Sequence, residues 1–201
     1  MGHYPTHLGL GTVYDALVQK PLDEVRRKSI SRIKDTENKH ILINGIGTGL
    51  DIDHLPEGAK YTATDITPRM LKRAQQRALE KNIDIEFKCA DSHELPFETE
   101  TFDIVIMHLI LAVVPDPGRA LQEAERVLKT DGSIYILDKF LKPGEFAPVR
   151  KTLNLFLRHV ATRTDVVFED VLSTSSSLHV VTDTPALAGG WFRLIELNKK
   201  S

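Results

Sequence analysis

Cysteine is nearly absent from this 201-residue chain, because Cys89 is the only one. One thiol forms no intrachain disulfide and completes no two-cysteine zinc or redox motif, which excludes a disulfide-stapled secreted fold. Long apolar runs are also missing, since the longest extends from Ile104 to Val114 and contains His108. That run is shorter than the roughly 18 residues that a helical membrane span needs. We therefore expect a protein of the reducing cytoplasm without a membrane span.

Neither sign of charge is in excess, since 26 Lys and Arg residues stand against 28 Asp and Glu residues, a net charge of -2. A nucleic-acid partner is not expected without a basic excess. The first fifteen residues lack the basic start and the apolar stretch of a secretion signal. Hydrophobic residues make up 41% of the chain, which is ordinary for a globular protein. We expect residues 1–201 to form a single domain.

Along residues 40–138, segments whose apolar residues have the spacing of a strand alternate with segments whose apolar residues have the spacing of a helix. This pattern predicts strands connected by helices. The predicted strands are 40–43, 60–64, 83–89, 104–108, 133–138, 178–182 and 191–198, and the predicted helices are 11–20, 21–34, one after Thr67, one after Asp116, 146–161 and 169–172. The last two strands are close enough in the chain to form a hairpin. The pattern predicts an α/β fold, with a doubly wound, mostly parallel seven-stranded sheet and a C-terminal antiparallel hairpin.

Two of the predicted strands differ in how their apolar residues are distributed. Residues 83–89 alternate between apolar and charged side chains, which is typical of a sheet edge, and Cys89 would lie on the apolar face as inert core. Residues 104–108 are apolar on both faces, which is typical of the centre of a parallel sheet. Ligands of such sheets bind beyond the carboxyl ends of the strands, so we expect the site there.

A glycine-rich loop, Gly45-Ile46-Gly47-Thr48-Gly49, follows the first predicted strand. Its third glycine comes one residue too early for a dinucleotide fingerprint, and Leu50 and Asp51 stand where a phosphate-binding loop has Lys and Ser or Thr. Asp65 ends the second strand twenty residues after Gly45, where a carboxylate accepts hydrogen bonds from ribose hydroxyls. An alternative role for Asp65 is to cap the helix that follows. The loop predicts a ligand that contains a nucleoside but no pyrophosphate.

Five ordered segments resemble the motifs of the class I S-adenosylmethionine-dependent methyltransferases: HILINGIGTG, YTATDITPRMLKRAQQRA, CADSHELPF, FDIVIMHLILAVVPDP and LQEAERVLKTDGSIYILD. The likeness covers nearly all of residues 14–198 and implies a Rossmann-like methyltransferase fold. It also implies S-adenosyl-L-methionine as cofactor and S-adenosyl-L-homocysteine as product. The cofactor-binding residues that it implies are Gly45, Ile46, Gly47, Thr48 and Gly49, then Asp51, Asp65, Ile66 and Met70, and finally Asp91, Ser92, His108 and Leu109. Among these, Gly45 to Gly47 would face the methionine part, Asp65 the ribose, Ile66 the adenine face, and Asp91 with Ser92 the adenine edge.

One position departs from the family pattern, because Ile43 stands where these enzymes usually have Asp or Glu. Asp51 is a candidate replacement for that negative charge near the cofactor's ammonium and sulfonium, and the alternative is a solvated residue in a first helical turn. The segment 50–56 is also short for the usual helix. Together with Asp138-Lys139-Phe140, this shortening is similar to the small bacterial phospholipid and quinone methyltransferases.

Three residues are candidates for direct roles in methyl transfer. His108 and Asp138 end predicted strands above the expected pocket, where either would accept a proton from an amine acceptor. Tyr14 would close over the cofactor, by resemblance to an aromatic residue that these enzymes often carry before Asp. The alternatives are a pocket wall for His108 and plain packing for Tyr14. The histidines show no metal-ligand spacing, and the reaction requires no metal.

A basic segment interrupts the near-neutral composition, because residues 139–164 hold six basic residues and a single acid, Glu145. At helical spacing, Arg150, Lys151 and Arg158 lie opposite an apolar face. The segment is either an ordinary surface helix or a lid that contacts an anionic head group or acidic lipid at the membrane periphery. Within the single domain we therefore expect N-terminal helices (1–38), a cofactor-binding core (39–138), a basic helical lid (139–177) and a C-terminal hairpin (178–201).

Two functions follow from these expectations. The first is a methyltransferase that acts on a small-molecule or lipid acceptor by in-line transfer. The second is a protein that binds S-adenosylmethionine and senses it or regulates a partner without turnover, an alternative that Ile43 supports most.

Overall fold

The apolar segments form one seven-stranded sheet in the computed structural model, which describes residues 11–141 and 166–200, with the backbone alone over 11–20. The strands are β1 (His40–Asn44), β2 (Lys60–Asp65), β3 (Ile85–Cys89), β4 (Phe102–His108), β5 (Leu128–Lys139), β6 (Leu178–Leu187) and β7 (Phe192–Lys199). Their order is β3-β2-β1-β4-β5-β7-β6. Strands β1 to β5 are parallel, and β7 runs antiparallel to β5 and β6. This confirms the mostly parallel sheet, the C-terminal hairpin, the edge position of β3 and the central position of β4.

The helices are α1 (Gly11–Ile30), α2 (Pro68–Lys81), α3 (Pro117–Val127) and α4 (Phe168–Leu172), with short 3-10 turns at Ile52–His54 and Ala188–Gly190. Helix α2 begins and ends where its end signals predict, and α3 begins where its signal predicts. In α3 the Asp116 carboxylate accepts a hydrogen bond from the Arg119 amide at 3.0 Å, which satisfies a free donor of the first turn. Asn82 ends α2 in the left-handed conformation, with φ 54° and ψ 41°.

Side chains on the two faces of the sheet belong to separate apolar clusters. Along β1, Leu42 packs on the face that α3 and α4 cover, while Ile41 and Ile43 pack on the face that α2 covers. Strand β4 alternates in the same way, since Val105 and Met107 share the cluster of Leu42, and Ile104 and Ile106 share the other. Helices therefore cover both faces, as a doubly wound fold requires.

Three local predictions are wrong. The N-terminal segments 11–20 and 21–34 form one helix, because Pro21 removes only its own N–H donor and the helix continues past it. Helix α3 ends at Val127 rather than at Asp131-Gly132, which lies within β5 at an irregularity of the β4–β5 pairing. Cys89 is exposed rather than core, because it lies on the edge strand. The predicted helix 146–161 lies outside the described residues.

Candidate cofactor and active site

The order in which the chain adds strands reverses between β1 and β4. Strands β2 and β3 extend the sheet on the side of β1, whereas β5 extends it on the side of β4. Such a switch point opens a crevice at the carboxyl ends of the two strands. Two adjoining clefts of about 200 and 230 Å³ lie there, and Gly45 lines both. We name the two clefts after the ligand parts that the sequence analysis predicts there. The nucleoside cleft is bordered by Asp65, Ile66 and residues 91–93, and the methionine cleft is bordered by Arg26, His108 and residues 45–48.

The glycine loop borders both clefts, and Gly45 is the loop residue that the two clefts share. Gly45 has a φ of +77°, and a Cβ atom there would lie 2.6 Å from Cδ1 of Ile110, so any side chain would have to displace Ile110. Gly47 has a φ of +56°, and a Cβ there would meet nothing within 4 Å, so its backbone faces open space. The Ile46 side chain is buried below the loop, while Thr48 borders the methionine cleft. At Gly45 and Gly47 the loop therefore places backbone rather than side chains beside the clefts.

Asp65 joins the end of β2 to the glycine loop. One carboxylate oxygen accepts a hydrogen bond from the Gly47 amide at 2.9 Å, and the other accepts one from the Thr67 amide at 2.8 Å. The structure thus shows Asp65 bonded at the start of α2 and also bordering the nucleoside cleft. Beside it, Ile66 is 62% exposed, which leaves an apolar surface uncovered at the mouth of this cleft.

The residues predicted at the adenine edge differ in their surroundings. Asp91 is exposed and pairs with Nδ1 of His93 at 2.7 Å. Ser92 is buried, and its hydroxyl donates to Oδ1 of Asn44 at 2.8 Å. The same Asn44 oxygen accepts from the Thr64 hydroxyl at 3.2 Å, while Nδ2 of Asn44 is buried with no partner among the described residues. Asn44 is a polar residue near the nucleoside cleft that the sequence reasoning missed.

A buried charged cluster lies beside the methionine cleft. Oδ1 of Asp51 accepts from Nη1 of Arg26 at 2.7 Å and lies 2.7 Å from Nδ1 of His108. Nε2 of His108 lies 2.9 Å from the Ser29 hydroxyl. We call these four residues, Arg26, Ser29, Asp51 and His108, the buried charged cluster. Asp51 is only 2% exposed, so the alternative of a solvated helix-turn residue is wrong.

Charge balance explains why an aspartate is tolerated at this depth. Burial alone raises the pKa of the Asp51 carboxyl, but the nearby charges of His108 and Arg26, with their hydrogen bonds, hold that pKa well below its usual range. Because a carboxylate only accepts hydrogen bonds, Nδ1 of His108 is its donor, and Nε2 meets Ser29. Both ring nitrogens of His108 therefore have partners.

Arg26 and Ser29 are site residues that the sequence reasoning missed. They lie on α1, whereas Asp51 follows the glycine loop and His108 ends β4, so residues distant in the chain are brought together. One signal was available, since Ser29 shares its helical spacing with Val25 and Ile33 on the face predicted to be buried. A polar side chain on a buried helix face needs a hydrogen-bond partner, but the sequence alone does not identify that partner.

The other candidate residues divide into three groups. Asp138 has no exposed surface, and burial raises the pKa of its carboxyl to about 6 although backbone donors lower it. Met70 and Leu109 border the methionine cleft, and their contact with a cofactor stays a prediction. Tyr14 belongs to the part of α1 whose side chains are outside the described set, and Arg150, Lys151 and Arg158 lie outside the described residues altogether.

Two negative observations apply to residues 11–141 and 166–200. No cluster of three or more His, Cys, Asp or Glu side chains in this part of the chain has a geometry that would hold a metal ion. No helix in the same part is long and apolar enough to cross a bilayer.

Known proteins are similar to this chain in sequence and in fold. A family model described as a methyltransferase domain matches residues 42–136. The chain is 29% identical to a phosphatidylethanolamine N-methyltransferase of Cereibacter sphaeroides, over 94% of this chain and 93% of that protein. It is 31% identical to a ubiquinone biosynthesis O-methyltransferase of Xanthomonas oryzae, over 64% of this chain and 56% of that protein.

A solved structure supports the fold independently of close sequence similarity. A geranyl diphosphate methyltransferase in complex with S-adenosylmethionine superposes with a TM-score of 0.76 at 14% identity, over 98% of this chain and 93% of that one. The glycine loop, the acid that ends β2 and the crevice between β1 and β4 agree with these likenesses. A methyltransferase domain therefore occupies residues 42–136, and the chain resembles S-adenosylmethionine-dependent methyltransferases in sequence and in fold.

Proposed function

We propose that the two clefts at Gly45 hold S-adenosylmethionine and that the methyl acceptor is a lipid that carries an amine. The observation that supports the cofactor site best is the contrast between the two clefts. The nucleoside cleft combines apolar walls with the Asp65 carboxylate, and the methionine cleft has the Arg26 guanidinium beside bare loop backbone. That division suits a ligand with a nucleoside at one end and a zwitterionic amino acid at the other.

The residues that are present fit this cofactor. Asp65 would accept hydrogen bonds from the ribose, and the exposed side chain of Ile66 would cover the adenine face. Arg26 has one nitrogen bonded to Asp51, which leaves other N–H donors for the methionine carboxylate. Nδ2 of Asn44 is a buried donor still lacking an acceptor among the described residues. When bound, S-adenosylmethionine supplies the methyl group on its sulfonium.

Positioning is the main contribution that we assign to the protein. Correct alignment of two reactants removes several kcal/mol from a barrier, roughly 7 to 11 kcal/mol at most. The loops after β1 and β4 are fixed by backbone hydrogen bonds, such as that from the Leu109 amide to Leu137 at 2.7 Å. The sequence predicts His108 as a proton acceptor for an amine, but its side chain has no exposed surface and both ring nitrogens have partners, which favours the alternative of a pocket wall.

The acceptor class is proposed from relatives. The relative that the chain matches over almost its full length is named for phosphatidylethanolamine, whereas the likeness to the quinone-pathway enzyme covers 56% of that protein. A lipid amine is therefore favoured over a quinol. The alternative of a sensor without turnover draws no support from these relatives, which are all named as enzymes.

Methyl transfer to defined vesicles tests the acceptor. We expect label from S-[methyl-3H]adenosylmethionine to enter lipid in vesicles that contain phosphatidylethanolamine, and not in vesicles of phosphatidylcholine alone, which lack a free amine. Transfer to a soluble quinol analogue but not to the amine lipid would contradict the amine proposal. Arg26→Gln should lower transfer at limiting cofactor, because it removes the proposed carboxylate contact.

We also propose that the protein acts in the cytoplasm and touches the membrane periphery through Arg150, Lys151 and Arg158. Each basic residue near an anionic membrane surface contributes about 1 kcal/mol to the free energy of binding, and salt screens this attraction. The triple change to Gln should reduce cosedimentation with acidic vesicles at low salt. A matched triple change of Lys34, Lys60 and Lys200 to Gln removes equal charge and should not. Equal binding by both triple variants would contradict the proposal.

A further inference from the structure

Asp138 is the next-to-last residue of β5, and the cofactor site proposed above assigns no role to it. It has 0% exposed surface. A general base must reach the proton that it removes, directly or through one water molecule. A fully covered carboxyl group does not meet that requirement, so its place in the fold needs another explanation.

The partners of Asp138 supply that explanation. Oδ2 accepts a hydrogen bond from the Ala112 amide at 3.1 Å, and the neighbouring Leu111 amide is close enough to lower the pKa of this carboxyl group. Oδ1 accepts from the Lys139 amide at 2.8 Å. Ala112 and Leu111 belong to the segment after β4, so the carboxylate joins the ends of two neighbouring strands. Both residues are at most 1% exposed, and their amides have no access to water in place of this bond.

The segment that Asp138 holds is a wall of both clefts. We call residues 109–115 the β4 loop. Leu109 borders the methionine cleft, while Ile110, Val113 and Val114 border the nucleoside cleft. Ile110 also packs on the glycine loop, since it occupies the space into which a Cβ of Gly45 would point. Movement of the β4 loop would therefore change the shape of both clefts at once.

Resting on the proposed cofactor site, we propose that Asp138 is a positioning residue that fixes the β4 loop against the glycine loop and so sets the affinity for the cofactor. A carboxylate suits this task because its two oxygens accept several amides at once. An asparagine offers one acceptor oxygen and turns an N–H donor toward a backbone amide. The Lys139 bond is shorter and local in sequence, so we expect the amide side chain to keep it and the β4 loop to be released.

Two measurements on the full chain test the proposal, and the first needs no variant. Hydrogen exchange of the wild type should show the amides of Leu111 and Ala112 protected at least about 100-fold relative to an unstructured peptide. Exchange at the unprotected rate would overturn the proposal, because the amides would then not be held. In Asp138→Asn the protection of both amides should fall at least tenfold while the strands keep theirs, and unchanged protection would overturn it as well.

Calorimetry with S-adenosylhomocysteine supplies the functional measurement. We expect the dissociation constant of Asp138→Asn to rise about tenfold or more, and that of the matched control Asp131→Asn, an exposed residue of the same strand, to stay within about twofold. Unchanged affinity in Asp138→Asn would overturn the proposal and favour a base that acts only in the chemical step. If the wild type does not bind S-adenosylhomocysteine, the proposed function fails, and hydrogen exchange alone then decides whether Asp138 holds the loop.

Discussion

At the residue scale, Asp65 has a structural role and a proposed role in ligand binding. It accepts hydrogen bonds from Gly47 and Thr67, and it borders the nucleoside cleft. We expect Asp65→Ala to weaken binding of S-adenosylhomocysteine by about 1.5 to 3 kcal/mol, because hydrogen bonds to a charged acceptor are lost. Calorimetry measures this, with Asp84→Ala as an exposed control. Equal affinities of wild type and Asp65→Ala would remove the ribose assignment.

Arg26, which borders the methionine cleft, and its partner Asp51 make a second prediction at the same scale. Arg26→Gln and Asp51→Asn should each weaken S-adenosylmethionine more than adenosine, since adenosine has no carboxylate or ammonium. Competition binding with the two ligands gives the ratio. Parallel losses for both ligands would show that these residues do not face the methionine end.

Asp51 also predicts a pH dependence of stability. Its pKa in the folded protein lies below the unfolded value of 3.8, so its contribution is complete above about pH 4 and is lost as the pH falls toward the folded pKa. Breaking a buried ion pair costs roughly 3 to 5 kcal/mol. In urea unfolding, Asp51→Asn should therefore be destabilised at pH 7, and the difference from wild type should shrink below pH 4. A difference that is constant with pH would contradict the charged cluster.

At the scale of elements, α1 packs on the sheet through buried Val25 and Ile30 and is also attached by polar contacts near its C-terminal end. Ser29 contacts His108, Arg26 contacts Asp51, and the Arg32 guanidinium that follows reaches Thr182 and Thr184 of β6. We expect Ser29→Ala to loosen this attachment, so that amides of residues 21–30 exchange faster while those of β4 do not. Ser31→Ala, an exposed change next to it, is the control, and an identical exchange pattern in both variants would contradict the attachment.

Elements were predictable where local pattern decides them. The alternating residues of β3, the apolar run of β4 and the prolines after Thr67 and Asp116 all indicate structure over a few positions. The errors occur where context decides: Pro21 does not end α1, and β5 begins before Asp131-Gly132. The buried charged cluster was predictable only in part, because Arg26 and Ser29 meet Asp51 and His108 through the tertiary fold.

At the scale of the whole molecule, the order of the strands creates the site. Parallel crossovers bring the ends of β1, β2, β4 and β5 to one edge of the sheet, and residues from 26 to 115 converge around Gly45. The sequence indicates this convergence through the alternation of strands and helices, which has few topological solutions. It does not indicate which side chains become buried partners, since that depends on packing between helices and loops.

The central claim is that this crevice binds a nucleoside joined to an amino acid and not a dinucleotide. Calorimetric titration of the wild-type chain with S-adenosylhomocysteine and with NAD tests it most directly. The account predicts saturable one-to-one binding of S-adenosylhomocysteine that weakens in Asp65→Ala, and no measurable binding of NAD. Binding of NAD at equal or higher affinity, or binding of neither ligand, would contradict it.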